Sequence, residues 1–374
     1  MILNDLCSYL DSAVPLSFQE GYDNSGLQIG FPENEISSAL ITVDVTEDVL
    51  DEAIRLKCDV IVSHHPLIFG NLKRLSGSDH IQRTIAKAIK NDIAVYSAHT
   101  NLDVISNGVS RKMAEKLNLL NIRVLSPLKN RLLKLVTFIP EESLEVVREA
   151  LFAAGAGVIG NYDRCAFVVN GTGSFRGNSH TDPYVGKKGQ DHFEKEIRFE
   201  TVLFSHLKTK VINALLKSHP YEEVAYDLYP LVNENIEIGL GCVGNFDKPL
   251  EERVFLEVIS KTFKAGGLRY SGISGKKIGR VALCGGAGIS LLNDAIASGA
   301  DAFVTSDIKY HNFFDAKGNI LLVDTGHYES EKFSTEILYE LIRKKFPTFA
   351  LRFSEINTNP INYLCDGKNK ESRS

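Results

Sequence analysis

No lysine or arginine precedes Arg55 in this 374-residue chain, while its first 54 residues hold eleven acids. That segment carries −11 and the remainder +6, for a net charge of −5. A secretory signal needs a basic n-region and a clean apolar run, whereas residues 1–18 have no basic residue and are interrupted by Asp5 and Asp11. A transit peptide is Arg-rich and acid-poor, the opposite pattern. No stretch reaches the ~18 unbroken apolar residues of a membrane span. The six cysteines (Cys7, Cys58, Cys165, Cys242, Cys284, Cys365) form no CxxC pair, which argues against a zinc knuckle or a disulfide frame. They read as buried free thiols. With 42 basic against 47 acidic residues, broad binding to nucleic acid or to an anionic membrane is not expected. These absences lead us to expect a cytoplasmic protein.

What is present is a globular composition, 44% hydrophobic and 24% charged, with length for two to three domains at ~150 residues each. Apolar runs at 38–43, 59–63 and 93–98 alternate with helical spacing at 47–57 and 81–90, which predicts an α/β sheet with crossover helices. The character changes at Ser126-Pro127. Strand, helix, two strands, helix and strand then follow at 132–139, 141–154, 166–169, 195–204, 209–217 and 225–231. This is the ferredoxin-like βαββαβ order, read as a domain inserted at 128–232. A stretch at 171–190 rich in Gly, Ser and Lys reads as the connection between its middle strands. The α/β pattern resumes with a helix at 250–263, a strand at 277–283, a glycine turn, a helix at 289–297, strands at 302–305 and 320–324, and a long helix at 329–345. The expected fold class is α/β, with an outer domain at 1–127 and 233–366 whose mixed β-sheets are flanked by helices. Residues 367–374 form a polar tail.

Three segments put polar groups where an apolar strand ends. The first is Ile61-Val-Ser-His64-His65-Pro66. Adjacent strand residues point to opposite faces, so the two imidazoles serve one site only once the chain leaves the strand, and Pro66 biases His65 to extended backbone. The bland reading is two surface histidines. The second is His99-Thr-Asn-Leu-Asp103, where the bland reading is an Asx turn with Asp103 as a helix cap. The third is Asp324-Thr-Gly-His327-Tyr-Glu-Ser-Glu331, in which His327 and Glu331 share one helix face at i, i+4. There the bland reading is a solvated helical pair. Taken together, His64, His65, Asp103, His327 and Glu331 are typical ligands of zinc, manganese or iron. All follow the C-terminal ends of predicted strands, where ligands bind in open α/β sheets. Five ligands with two carboxylates exceed a tetrahedral structural zinc and suit two cations bridged by a carboxylate, with positions open for water.

Other segments are expected to serve a substrate. Asp23-Asn24-Ser25-Gly26-Leu27 is a compact polar loop. Gly285-Gly286-Ala287-Gly288, between strand and helix, would aim backbone N–H groups at an anion, although it carries neither a Walker Lys-Ser/Thr nor GxGxxG. Asp307, Lys309 and His311 follow strand 302–305 and could reach the site, with helix capping by Asp307 an equal reading. His311 or Asp307 is the candidate catalytic proton shuttle. In the insert, Ser218-His219-Pro220-Tyr221-Glu222-Glu223 reads as a turn motif rather than as a ligand pair of His219 and Glu222.

The combination of SHHPLIF, AHTNLD, the Asp307 segment, GHYESE and DNSGLQIG resembles the Nif-three-like family, also called GTP cyclohydrolase 1 type 2 homologues, over about 1–127 and 233–366. The middle resembles the PII/CutA-like insert of longer bacterial members, HPYEE being similar to a CutA motif. The resemblance implies two divalent cations per subunit, zinc first and manganese or iron as alternatives, on the same five residues. Glu331 would bridge them, with His65 and Asp103 on one cation and His64 and His327 on the other. It also implies a toroidal homohexamer, a trimer of dimers with sites facing an internal cavity. The implied activity is a hydrolase in which metal-activated water acts on a purine nucleotide. In the cyclohydrolase version the target is C8 of guanine, and ring opening releases formate. Two other classes share these residues: a metal-binding regulatory or sensor protein that uses the PII-like insert, and a binuclear phosphoesterase, whose phosphate clamp would come from Lys309 and the glycine turn.

Overall fold

Period-two alternation sorts the strands of the first sheet. Ala39 and Ile41, Val60 and Val62, and Ala94 and Tyr96 bury one face, while Leu40, Ile61 and Val95 bury the other. Strands covered on both faces read as unbroken apolar runs, which is why these were legible. In the computed structural model, which describes residues 1–233 and 235–364, Ser38–Thr42, Val60–Ser63 and Ala94–Ser97 run parallel side by side. Ala350–Phe353 joins one edge in parallel, and Gly26–Ile29 joins the other antiparallel. The tail expected at 367–374, and Cys365, lie outside the described residues.

The second sheet repeats the plan. Lys277–Leu283, Ala302–Thr305 and Leu321–Asp324 are parallel and adjacent in chain order. Antiparallel strands Arg269–Tyr270 and Asn235–Glu251 flank them, with Leu120–Leu128 outermost. Val281, Leu283, Ala302, Val304, Leu321 and Val323 share one apolar cluster with the inner face of the first sheet. Helices Leu3–Ala13, Val109–Lys116, Glu252–Phe263 and Ser334–Lys345 contribute to the same cluster and form the layer between the sheets. Helices Glu47–Leu56 and His80–Lys90 cover the outer face of the first sheet, and Leu292–Ala297 that of the second. The result is mixed sheets flanked by helices.

Contacts divide the chain into two compact units: Met1–Ser126 with the chain from Glu237 onward, and Pro127–Ile236. The second unit has strands Leu132–Pro140, Ala166–Arg176, Asp191–Phe204 and Tyr226–Leu231 in the order second, third, first, fourth, with all neighbours antiparallel. Helices Leu144–Ala153 and Lys208–Ser218 pack on one face through Val147, Leu151, Val211 and Leu215 against Leu135, Ile139, Phe199 and Leu203. The Gly/Ser-rich stretch is shorter as a connection than its composition suggests. Cross-strand pairing runs unbroken from Ala166↔Thr201 to Arg176↔Asp191, because the backbone ladder is satisfied whatever the side chains are. The helix expected at 329–345 is two helices, His327–Glu331 and Ser334–Lys345. Among the described residues, no helix is long and apolar enough to cross a membrane.

Phe303 is fully buried on the outer face of the second sheet. Phe303→Ala is expected to cost about 3–5 kcal/mol and to lower the urea midpoint of unfolding. A midpoint equal to wild type would contradict this packing.

Candidate metal centre

The parallel strands of both sheets end at one place. His64 and His65 leave Val60–Ser63, and Asp103 lies on the short helix Thr100–Val104 that follows Ala94–Ser97. From the other sheet, His327 and Glu331 begin and end the helix after Leu321–Asp324. His65 Nε2 and His327 Nε2 each lie 2.8 Å from Glu331 Oε2 and 3.4 Å from one another. His64 Nε2 lies 3.7 Å from the same oxygen and 3.8 Å from Asp103 Oδ1. All five sequence-derived candidates are thus brought together. The ligand atoms of His64, His65 and Glu331 fall within 4.8 Å of one another. The distances set His64 beside Asp103 and His65 beside His327, which differs from the division that the resemblance implied.

The residues fit cations. His64 is 0% exposed, and its Nδ1 donates to Ala98 O at 2.9 Å. A carbonyl only accepts, so in the neutral ring Nε2 is a bare lone pair. His64 Nε2 and Asp103 Oδ1 are both buried with no hydrogen-bond partner. Bare buried acceptors cost about 1–3 kcal/mol each, and a cation between them satisfies both. Gly286 makes the room. Its φ is +62°, and a Cβ there would lie 2.0 Å from Glu331 Oε1.

The surrounding carboxylates orient the rings. His65 Nδ1 bonds Asp44 Oδ1 at 2.7 Å, and Thr358 Oγ1 donates to the other Asp44 oxygen at 2.6 Å. His327 Nδ1 bonds Asp307 Oδ2 at 2.7 Å. This carboxylate–imidazole pairing is the usual support of a metal-binding histidine. Burial disfavours charge on His65, yet Asp44 and Glu331 raise it to about 9. Burial opposes charge on His327 too, and Asp307 and Glu331 raise it to about 11. Glu331 loses hydration on burial, but the imidazoles of His327, His64 and His65 hold it well below the usual carboxylate range. Burial pushes Asp103 up, to about 7. Cys284 stays a thiol: burial first, then the charges of Asp103 and Glu331, push it to about 12.

Several expectations change. The N–H groups of Gly285, Gly286 and Gly288 go to Ser110 Oγ, Ser330 Oγ and Thr305 Oγ1, so these three are not aimed at an anion. Asp307 adopts φ +55° and serves His327 instead of capping a helix. His311 is exposed, and its ring contacts are Tyr310 and Phe314 rather than the imidazole cluster. His219 is a turn residue: its Nε2 donates to Phe138 O at 3.0 Å, and its Nδ1 accepts from Tyr221 N at 3.1 Å. Two participants were not expected as partners, Asp44 and His99. Asp44 stands just past Ser38–Thr42, at the same kind of strand end that identified the others. His99 sits 5.4 Å and 5.3 Å, ring to ring, from His64 and His65. Its Nδ1 lies 2.8 Å from Asp23 Oδ1, which ties the Asp23 loop to the cluster.

Gly286→Ala tests the cradle. The added methyl displaces Glu331, and bound metal per chain, measured by elemental analysis after dialysis, is expected to fall well below wild type. Equal metal content in the variant would contradict the arrangement.

The family model described as Duf34/NIF3 (NGG1p interacting factor 3) matches residues 1–360. A protein from Halalkalibacterium halodurans named GTP cyclohydrolase 1 type 2 homolog is 40% identical over 357 residues, covering 94% of this chain and 95% of that protein. A Bacillus subtilis protein of the same name is also 40% identical, over 356 residues and with the same coverage. The solved structure of a Bacillus cereus protein related to NIF3 superposes with a TM-score of 0.84 at 38% identity, covering 97% of this chain and 99% of that one. The strand-end histidines, the fold and these likenesses agree, and the chain belongs to the Duf34/NIF3 family.

Proposed function

We propose that this protein is a dinuclear metal-dependent hydrolase of the GTP cyclohydrolase type, acting on a purine nucleotide. The observation that carries the reading is the pair of unpartnered buried acceptors, His64 Nε2 and Asp103 Oδ1, beside the His65–Glu331–His327 cluster. His64 and Asp103 would hold one cation and His65 and His327 the other, with Glu331 within reach of both. Zinc suits the imidazole-rich donor set best, with manganese or iron as alternatives. When bound, such cations supply Lewis acidity and a nucleophilic water at neutral pH.

The chain's own residues do the rest. Asp44 and Asp307 fix the tautomer and direction of His65 and His327. Glu331 is a carboxylate at neutral pH, because the imidazoles stabilise its charge. Phe69 and Tyr22 are exposed, with ring centroids 6.2 Å apart, and Phe69 lies 6.0 Å from His99. Aromatic faces beside the site accept a base by stacking. A phosphoesterase is less well supported, since the N–H groups of Gly285, Gly286 and Gly288 are engaged within the protein. The second unit's element order and antiparallel pairing support its reading as a ferredoxin-like, PII/CutA-like domain. A cytoplasmic homohexamer, a trimer of dimers, completes the proposal.

Formate release from GTP by protein loaded with zinc, manganese or iron tests the activity. Turnover is expected in wild type and its loss in His65→Ala and Glu331→Ala, with bound metal falling sharply and the circular dichroism unchanged. No formate with any of the three metals would remove GTP as substrate. Wild-type metal content in both variants would remove the site itself.

A further inference from the structure

The HPYEE turn and its surroundings are not used by the metal chemistry. They border a cavity of about 570 Å³ confined to the second unit and lined by Phe175, Tyr184, Glu196, Arg198 and Tyr221 among others. That volume suits a small-molecule ligand, for which pockets of ~300–1,000 Å³ are usual. We propose that this cavity binds a small organic ammonium compound, its charge set against the carboxylate of Glu196 and its carbons against the surrounding aromatic rings.

Glu196 is 8% exposed and accepts one hydrogen bond, from Tyr221 Oη at 2.9 Å. Among the described residues it has no ion-pair partner. Arg198, the nearest guanidinium in sequence, is committed elsewhere: its Nε lies 2.8 Å from Glu200 Oε1, and its guanidinium lies over the Phe138 ring. A carboxylate withdrawn from water without a cation is costly, and a ligand cation removes that cost. The backbone leaves space for this group, since a Cβ on Gly173 would lie 2.0 Å from Glu196 Oε2.

The aromatic rings supply the second half of the recognition. Tyr221 sits 6.2 Å from Phe175 and 6.1 Å from Tyr184, ring to ring, and the planes are tilted by 60° and 50°. His219 fixes Tyr221 by accepting its backbone N–H. Rings presented at differing angles in a lining that also holds Glu196, Glu222 and Glu223 favour a cation that carries apolar surface.

The test uses the full chain with butylammonium and tetramethylammonium as probes, and butanol and acetate as neutral and anionic controls. Saturation-transfer NMR titrations read the binding. Both ammonium probes are expected to bind, and both controls to fail. Glu196→Gln, which keeps the shape and loses the charge, weakens the probes by about tenfold or more. Tyr184→Ala, at an exposed ring, weakens them about threefold or more. Both variants keep wild-type metal content and circular dichroism. The proposal is overturned if neither ammonium probe binds wild type, if butanol binds as well as butylammonium, or if both variants bind the probes like wild type.

Discussion

The arrangement depends on one carboxylate. Glu331 is 3% exposed, and its Oε2 is approached by His65 and His327 at 2.8 Å and by His64 at 3.7 Å. A buried carboxylate is tolerated only where positive charge or donors surround it. His65 and His327, one from each sheet, provide that here at 2.8 Å, and the polypeptide between them has to end its strands at a common point. The turn at Gly286 gives up a side chain so that the carboxylate fits. The same turn spends its N–H groups on Ser110, Ser330 and Thr305, which explains why a glycine-rich strand–helix junction need not bind phosphate.

The basic-free first segment takes on a specific meaning in this setting. Of its eleven acids, Asp23 holds His99 and Asp44 holds His65. Asp11 accepts from the buried Tyr96 hydroxyl, and Glu52 accepts from Ser354 Oγ and the Glu355 backbone N–H. The negative charge is therefore partly structural, turned toward imidazoles and hydroxyls rather than presented as a uniform acidic face that would repel a triphosphate. Hydrogen bonds to His99 and Thr100 hold Asp23 well below the ordinary carboxylate range despite its burial.

The cluster of five candidate residues was legible because donor chemistry coincided with strand ends, and fully buried parallel strands are the clearest signal a sequence gives. Asp44 and His99 obey the same rule, but one acid among eleven carries no mark that its partner lies 21 residues away. The glycine turn was misread because close approach and anion binding ask for the same residue. Strands Gly26–Ile29, Ala350–Phe353 and Asn235–Glu251 lay outside the sequence reading, since edge position and interspersed glycines remove the apolar run. Helix Leu3–Ala13 carries its buried residues at Leu3, Leu6, Cys7 and Leu10, a helical spacing that the sequence contains. Glu196 could not have been singled out at all: in the run Glu194-Lys195-Glu196 it is one of two like acids, and only strand register buries it.

The central claim is that two cations share Glu331 between the ends of two sheets. Anomalous diffraction from crystals of the metal-loaded protein tests it most directly. The account predicts two peaks per chain, one about 2.0–2.2 Å from His64 Nε2 and an Asp103 oxygen, the other at the same range from His65 Nε2 and His327 Nε2, with Glu331 reaching both. A single peak, or peaks held by residues outside these five, would contradict it.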